Sequence, residues 1–208
     1  MAPRTSIYID GFNLYFGALR NTPNRWLDLS KMCQRLLPGN QITRINYYTA
    51  LVKPRQNDPQ QPARQQLYLR ALKTLPNVEI HLGHYLSHNV FMAKVNPPPN
   101  TVEVIKTEEK GSDVNLASHV IADGFTNQYD VAVIISNDSD LREPIKIVSQ
   151  TIKKPIGLVN PQVNGHPSKE LRQYATFFKQ LRASTLPACQ FAPDLTDATG
   201  SFHKPPSW

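Results

Sequence analysis

Val131-Ala132-Val133-Ile134-Ile135 is an unbroken apolar run with four β-branched residues. No position in it alternates towards water, so it reads as a strand buried on both faces, the kind found in parallel sheets. Ser6-Ile7-Tyr8-Ile9 repeats the character near the start of the chain. Each run is followed at once by a polar turn and a helix start: Asp10-Gly11 after the first, Asn137 to Asp140 after the second. Working outward, Ile42 to Val52 and Val78 to Tyr85 read as further strands and Pro155 to Val159 as a fifth. Gln65 to Leu75 has the apolar period of a helix, as do Asp113 to Phe125, with Ser112 as its expected N-cap, Leu141 to Thr151, and Lys169 to Leu181. Pro54 to Pro62 reads as a loop. Asn96 to Asn100 must break any regular element, leaving Val90 to Val95 and Thr101 to Thr107 as hairpin arms or extended segments. Strands alternating with helices predict an α/β fold: a doubly wound, mostly parallel, Rossmann-like sheet with helices on both faces. Residues 1–183 form the expected domain. Residues 184–208, without periodicity, are a tail, either disordered or laid over the domain.

The 208 residues suit one domain, and with 40% hydrophobic and 19% charged residues the chain can bury a core. No apolar run approaches the roughly 18–20 residues of a membrane helix. The opening residues lack a signal-peptide layout, so a cytoplasmic protein is expected. Cys33 and Cys189, the only cysteines, are too few for a disulfide framework or a Cys-rich zinc site. A net charge of +7 favours polyanionic partners without naming one.

In an open parallel sheet, ligands sit outside the carboxyl ends of the strands. Asp10 ends the first strand, Asp138 and Asp140 follow the fourth, and Asp113 opens a helix. The first and fourth strands are central neighbours in the usual winding order, so all four carboxylates can converge. Converging carboxylates repel unless protonated or bridged by a cation, and oxygen ligands suit Mg²⁺ or Mn²⁺. Such ions acidify water and stabilise charge in phosphodiester cleavage. Each residue also has a structural reading. Asp140 with Glu143 fits a capping box, Asp113 suits a helix N-terminus, and Asp138 suits a turn. Asp10 after a buried strand is the hardest to explain by structure alone.

His81, His84 and His88 have helical ligand spacing, but their segment reads as strand, which separates His81 and His84 onto opposite faces. His119 and Asp123 form a structural pair one helical turn apart. Lys110 either reaches a phosphate or is an exposed loop lysine. Arg44, Lys53, Arg55, Arg64, Arg70 and Lys73, with Asp58 the only acid among them, form either a backbone-binding surface or a solvated face. The first strand is followed by no G-x-G-x-x-G, and there is no Walker A lysine, which disfavours dinucleotides and nucleoside triphosphates.

Three blocks in order, Tyr8-Ile9-Asp10-Gly11-Phe12-Asn13-Leu14, Glu109-Lys110-Gly111-Ser112-Asp113-Val114 and Ser136-Asn137-Asp138-Ser139-Asp140-Leu141, resemble the motifs of the NYN domain of the PIN-like nuclease superfamily. The resemblance spans roughly residues 5 to 182. It implies a metal-dependent ribonuclease site, with Asp10, Asp113 and Asp138 at the acidic metal positions. Asp140 matches the second aspartate of the last motif, and Asn13 the asparagine that orients Asp10 or touches substrate. Two positions depart from the family pattern: Asn137 where members often carry glycine, and His119 where many carry an acid. The resulting expectation is a Mg²⁺- or Mn²⁺-dependent endoribonuclease acting on single-stranded or structured RNA. Asn13, Lys110, Asn137, Arg55 and Arg64 are its expected substrate contacts, and homodimers are permitted. The alternative is an RNA-binding regulatory module with little turnover. A haloacid-dehalogenase-type phosphatase would want an aspartate at Phe12.

Overall fold

The computed structural model describes residues 1–96 and 98–208. Its strands are β1 (Arg4–Asp10), β2 (Gln41–Ala50), β3 (Val78–Ala93), β4 (Thr101–Lys110), β5 (Val131–Ile135), β6 (Ile156–Asn160) and β7 (Phe177–Gln180). They form one sheet in the order β4-β3-β2-β1-β5-β6-β7. All neighbours run parallel except β4, which returns antiparallel along β3. This is a doubly wound α/β sheet. The chain leaves β1 for β2 on one side and later arrives at β5 on the other, so the winding reverses between β1 and β5.

The helices are α1 (Gly11–Leu14), α2 (Leu29–Leu36), α3 (Gln61–Leu72), α4 (Ser112–Phe125), α5 (Arg142–Lys146) and α6 (Lys169–Arg172). Single π-helical segments extend α1 to Leu19 and α5 to Thr151. Side chains alternate across β1, which splits the core in two. Ile7 and Ile9 pack with α2 and α3 through Leu29, Met32, Leu69 and Leu72. Tyr8 faces the other way, into Leu116, Val120, Ile145 and Leu171 from α4, α5 and α6. Every residue of β5 is buried. Each fully buried Val or Ile contributes about 1.5–3 kcal/mol, so the strands that carry the acidic turns are among the best anchored in the sheet. Among the described residues no helix is long and apolar enough to cross a membrane.

Several boundaries differ from the sequence reading. The strand expected at 78–85 and the arm expected at 90–95 are one strand, and the break around Asn96–Asn100 includes Pro97, which lies outside the described residues. β3 pairs with β2 only as far as Gly83; from His84 onward its sole neighbour among the described residues is β4. Helix α3 starts earlier than expected, with Pro62 in its first turn, where a missing N–H costs nothing. The helix expected over 169–181 stops at Arg172, and Phe177–Gln180 is a strand instead. The reason lies in β6: all five of its residues are buried, and the backbone groups on its outer edge need a partner.

Residues 184–208 lie over the α2–α3 face. Leu186, Cys189, Phe191 and Phe202 are buried in that core, and the fully buried Trp26 donates its indole N–H to the Ala192 carbonyl at 2.9 Å. A small hairpin of β8 (Asp194–Asp197) and β9 (Gly200–His203) completes it. Arg70 on α3 clips this hairpin, donating to Asp197 at 2.7 Å while its guanidinium lies 4.1 Å from the Phe202 ring centroid.

Candidate active site

Asp10 ends β1 and caps the turn that follows. Its Oδ1 accepts the Asn13 N–H at 2.8 Å and its Oδ2 accepts the Ser136 hydroxyl at 2.9 Å. The Ser136 side chain is fully buried at the end of β5, and its Oγ accepts the Asp138 N–H at 3.1 Å. One hydroxyl therefore ties the carboxylate after β1 to the acidic turn after β5. Across the same gap the Asn137 N–H donates to Asn13 Oδ1 at 3.1 Å. Asp138 caps the short turn Ser139–Leu141 by accepting the Asp140 N–H at 3.0 Å. The capping residue is thus Asp138 and not Asp140, which is exposed at the surface.

The third carboxylate arrives from the opposite direction. Gly111 holds a left-handed φ of 98°, a conformation that favours glycine, and it, rather than Ser112, stands at the N-cap of α4. Ser112 is the first helical residue. Its N–H and hydroxyl donate to the two oxygens of Glu109 at 3.1 and 2.7 Å, so Glu109 does the capping. Gly83 makes room for this crossing: a Cβ there would stand 2.2 Å from Glu109 Oε1 and 2.6 Å from the Lys110 carbonyl. Asp113 then follows in the first turn of α4.

Asp10, Asn13, Glu109, Asp113 and Asp138 line one cavity of about 640 Å³, together with Phe12, Phe16, Tyr85 and Gln162; among the described residues no Lys or Arg lines it. The electrostatics follow from that lining. Asp113 is pushed up to about 6, first by burial and then by the negative charges of Asp10, Asp138, Glu109 and Asp140. Asp10 is also raised, chiefly by burial, while the Asn13 N–H and the Ser136 hydroxyl pull it back and Asp138 adds to the rise. Hard oxygen donors facing one space with no cation suit Mg²⁺ or Mn²⁺. Among the described residues no three His, Cys, Asp or Glu side chains are gathered tightly enough to hold an ion as they stand. The fit is therefore one of donor chemistry and a shared cavity.

Other expected residues lie outside this cavity. Lys110 is paired with Glu108 at 3.2 Å. The Asn137 amide is engaged with the loop after β6, donating to Gln162 and the His166 carbonyl and accepting the Ser168 N–H. Arg64 binds Asp58 at 2.6 Å, Arg44 binds Asp123 and Arg70 binds Asp197, so half of the basic stretch is neutralised within the fold. Arg55 and Arg64 line a second cavity next door. His81 stacks on Tyr48 and hydrogen-bonds Asn46, while His119 bonds the Tyr48 hydroxyl, a packed polar cluster beneath α4. The sequence reading assigned no role to Glu109 or Ser136. Their only signal is position: Glu109 three residues before the helix, Ser136 directly after a buried strand.

The comparisons agree with this architecture. Residues 4–181 match the NYN domain model. The 6-hydroxy-3-succinoylpyridine 3-monooxygenase HspA of Pseudomonas putida is 31% identical over 236 aligned positions, covering 99% of this chain and 75% of that protein. A crystal structure of a protein of unknown function from Vibrio parahaemolyticus superposes with a TM-score of 0.56 at 15% identity, covering 86% of this chain and 93% of that one; the likeness is one of fold. With the match running from the first strand to the last strand of the sheet, the chain belongs to the NYN domain family, whose fold is of the PIN-like nuclease type.

Proposed function

We propose that this protein is a Mg²⁺- or Mn²⁺-dependent endoribonuclease. The observation that carries the reading is the cavity at the winding reversal, where Asp10, Asp113, Asp138 and Glu109 meet without a compensating cation. Asp10, Asp113 and Asp138 would hold the ion, which when bound supplies an acidified water and charge stabilisation for phosphodiester hydrolysis. The chain's own residues prepare the rest. The Asn13 N–H and Ser136 hydroxyl fix the rotamer of Asp10 and favour its ionised form. Glu109 sets the start of α4 and with it the reach of Asp113. Asp140 acts through water from outside the cavity. Asn13, in the cavity wall, contacts the scissile phosphate; Lys110, outside it, leaves Glu108 to take a neighbouring phosphate, and Arg55 and Arg64 contact the flanking strand. Asn137 acts indirectly, by holding the loop after β6. The RNA would be cytoplasmic.

The name of the Pseudomonas putida relative supports a second reading, ring hydroxylation of a pyridine. That reaction consumes oxygen and a reductant such as a reduced nicotinamide, for which β1 offers no G-x-G-x-x-G turn.

The deciding experiment incubates labelled, mostly single-stranded RNA with wild type and Asp10→Asn in Mn²⁺, Mg²⁺ or EDTA. Cleavage that needs the ion and is lost in the variant is expected. Equal cleavage by the variant would sink the assignment. Tight, salt-sensitive RNA binding without product would leave a binding module. Turnover of 6-hydroxy-3-succinoylpyridine with oxygen and NADH, in place of RNA cleavage, would move the protein to the second reading.

A further inference from the structure

Beside the acidic cavity lies another of about 290 Å³, just below the roughly 300–1,000 Å³ typical of pockets for drug-sized ligands. The two share a wall, because Phe12, Phe16 and Tyr85 line both. Their chemistry is opposite. The second is lined by Arg20, Arg25, Arg55 and Arg64 against a single acid, Asp58. Arg64 is bound to that acid. Arg25 lies over the Trp208 ring and donates to the Ser207 carbonyl, and Arg20 lies over Phe16. Arg20 and Arg55 have no ion pair among the described residues and are exposed. The far wall is aromatic, with Trp208 edge-on to Tyr68 at 5.9 Å between ring centroids.

Ring faces flanked by unpaired guanidinium groups recognise a flat heteroaromatic ring that carries an anion: the faces stack the ring, and the planar forks take the phosphate. We propose that this cavity is a nucleotide subsite. It stacks one base of the substrate strand against its aromatic wall and holds the attached phosphate with Arg55 and Arg20. The shared wall then leads the neighbouring phosphodiester to Asp10, Asp113 and Asp138. This rests on the endoribonuclease reading above. It adds a reason for the path of the tail, which lays Trp208 on Trp26 and Tyr68 at this wall.

The test titrates the full chain, in EDTA, with AMP, adenosine and inorganic phosphate by equilibrium dialysis. Without a divalent ion the acidic cavity repels phosphate, which isolates the second cavity. AMP is expected to bind at least about tenfold tighter than adenosine or phosphate, since ring and anion both contribute. Trp208→Leu and Arg55→Gln should each weaken it about tenfold. Arg55 is exposed, so that variant keeps the result interpretable if Trp208→Leu loosens the tail. AMP binding no tighter than phosphate, or unchanged in Arg55→Gln, overturns the subsite. RNA cleavage is scored separately. Ion-dependent cleavage alongside AMP binding indifferent to both variants overturns the subsite and leaves the nuclease. AMP binding that needs both residues, with no RNA cleaved, supports the subsite and overturns the nuclease.

Discussion

Helix α4 carries an aspartate near each end, and the fold treats the two in opposite ways. Asp123 accepts the Tyr8 hydroxyl at 2.6 Å and an Arg44 guanidinium bond, so its charge is answered from β1 and β2. Asp113 faces Asp10, Asp138 and Glu109, with burial and repulsion both raising it and only the N-terminus of α4 favouring its charge. One helix thus shows what compensation looks like when a carboxylate serves only the fold. The other end shows a carboxylate with no ion pair among the described residues, the pattern expected of a ligand site rather than of a structural ion pair.

The sharpest break between the two is catalytic. Asp113→Asn should cost roughly 10²–10³-fold in the initial rate of RNA cleavage, whereas Asp123→Asn, assayed where it is fully folded, should keep the rate within a few-fold. Stability runs the other way. Asp123→Ala leaves Arg44 and Tyr8 without their partner and should destabilise by about 2–3 kcal/mol in urea melts, below the value for a fully buried pair because Arg44 keeps 28% of its side chain exposed. Asp113→Asn should instead stabilise the metal-free protein by about 1–2 kcal/mol at pH 7, a figure reduced for the solvent screening of a partly buried carboxylate. Saturating Mn²⁺ should shrink or reverse that gain. The smallest effect is its pH signature. A carboxylate raised from 3.8 to about 6 binds its proton more readily folded than unfolded. Its contribution is therefore fully present below 3.8 and is lost as pH rises through about 6. Metal-free wild type should lose stability relative to Asp113→Asn across that window. His81, held below its ordinary value by burial, acts with the opposite sign. Because it is common to both proteins, it drops out of the difference.

The parts of this comparison that were legible in sequence are local. The apolar run Val131–Ile135 and the turn after it needed no distant partner to be read, and the same holds for Asp10 after β1 and Asp113 at the head of α4. What escaped depends on contacts across the chain. Glu109, not Ser112, caps α4, because β3 brings Gly83 against it. Phe177–Gln180 is a strand because β6 has an edge to satisfy, helped by Asn160 bonding the Gln180 amide at 3.0 Å. The basic stretch loses half its free charge to Asp58, Asp123 and Asp197, two of which lie far along the sequence. Charge counted along a chain says little about charge left over in the fold.

Past Gly83 the β3–β4 ribbon has no other strand beside it among the described residues, and Leu86, Phe91 and Ile105 stand exposed on its faces. A lone two-stranded ribbon gains little from burial. It can open along its own ladder while both cores stay shut, so its amide hydrogens trade with solvent by a local route. In deuterated water, backbone amides of residues 86–92 and 102–108 should label early and with little response to added urea. Those of β1 and β5 should label only when the whole sheet comes apart.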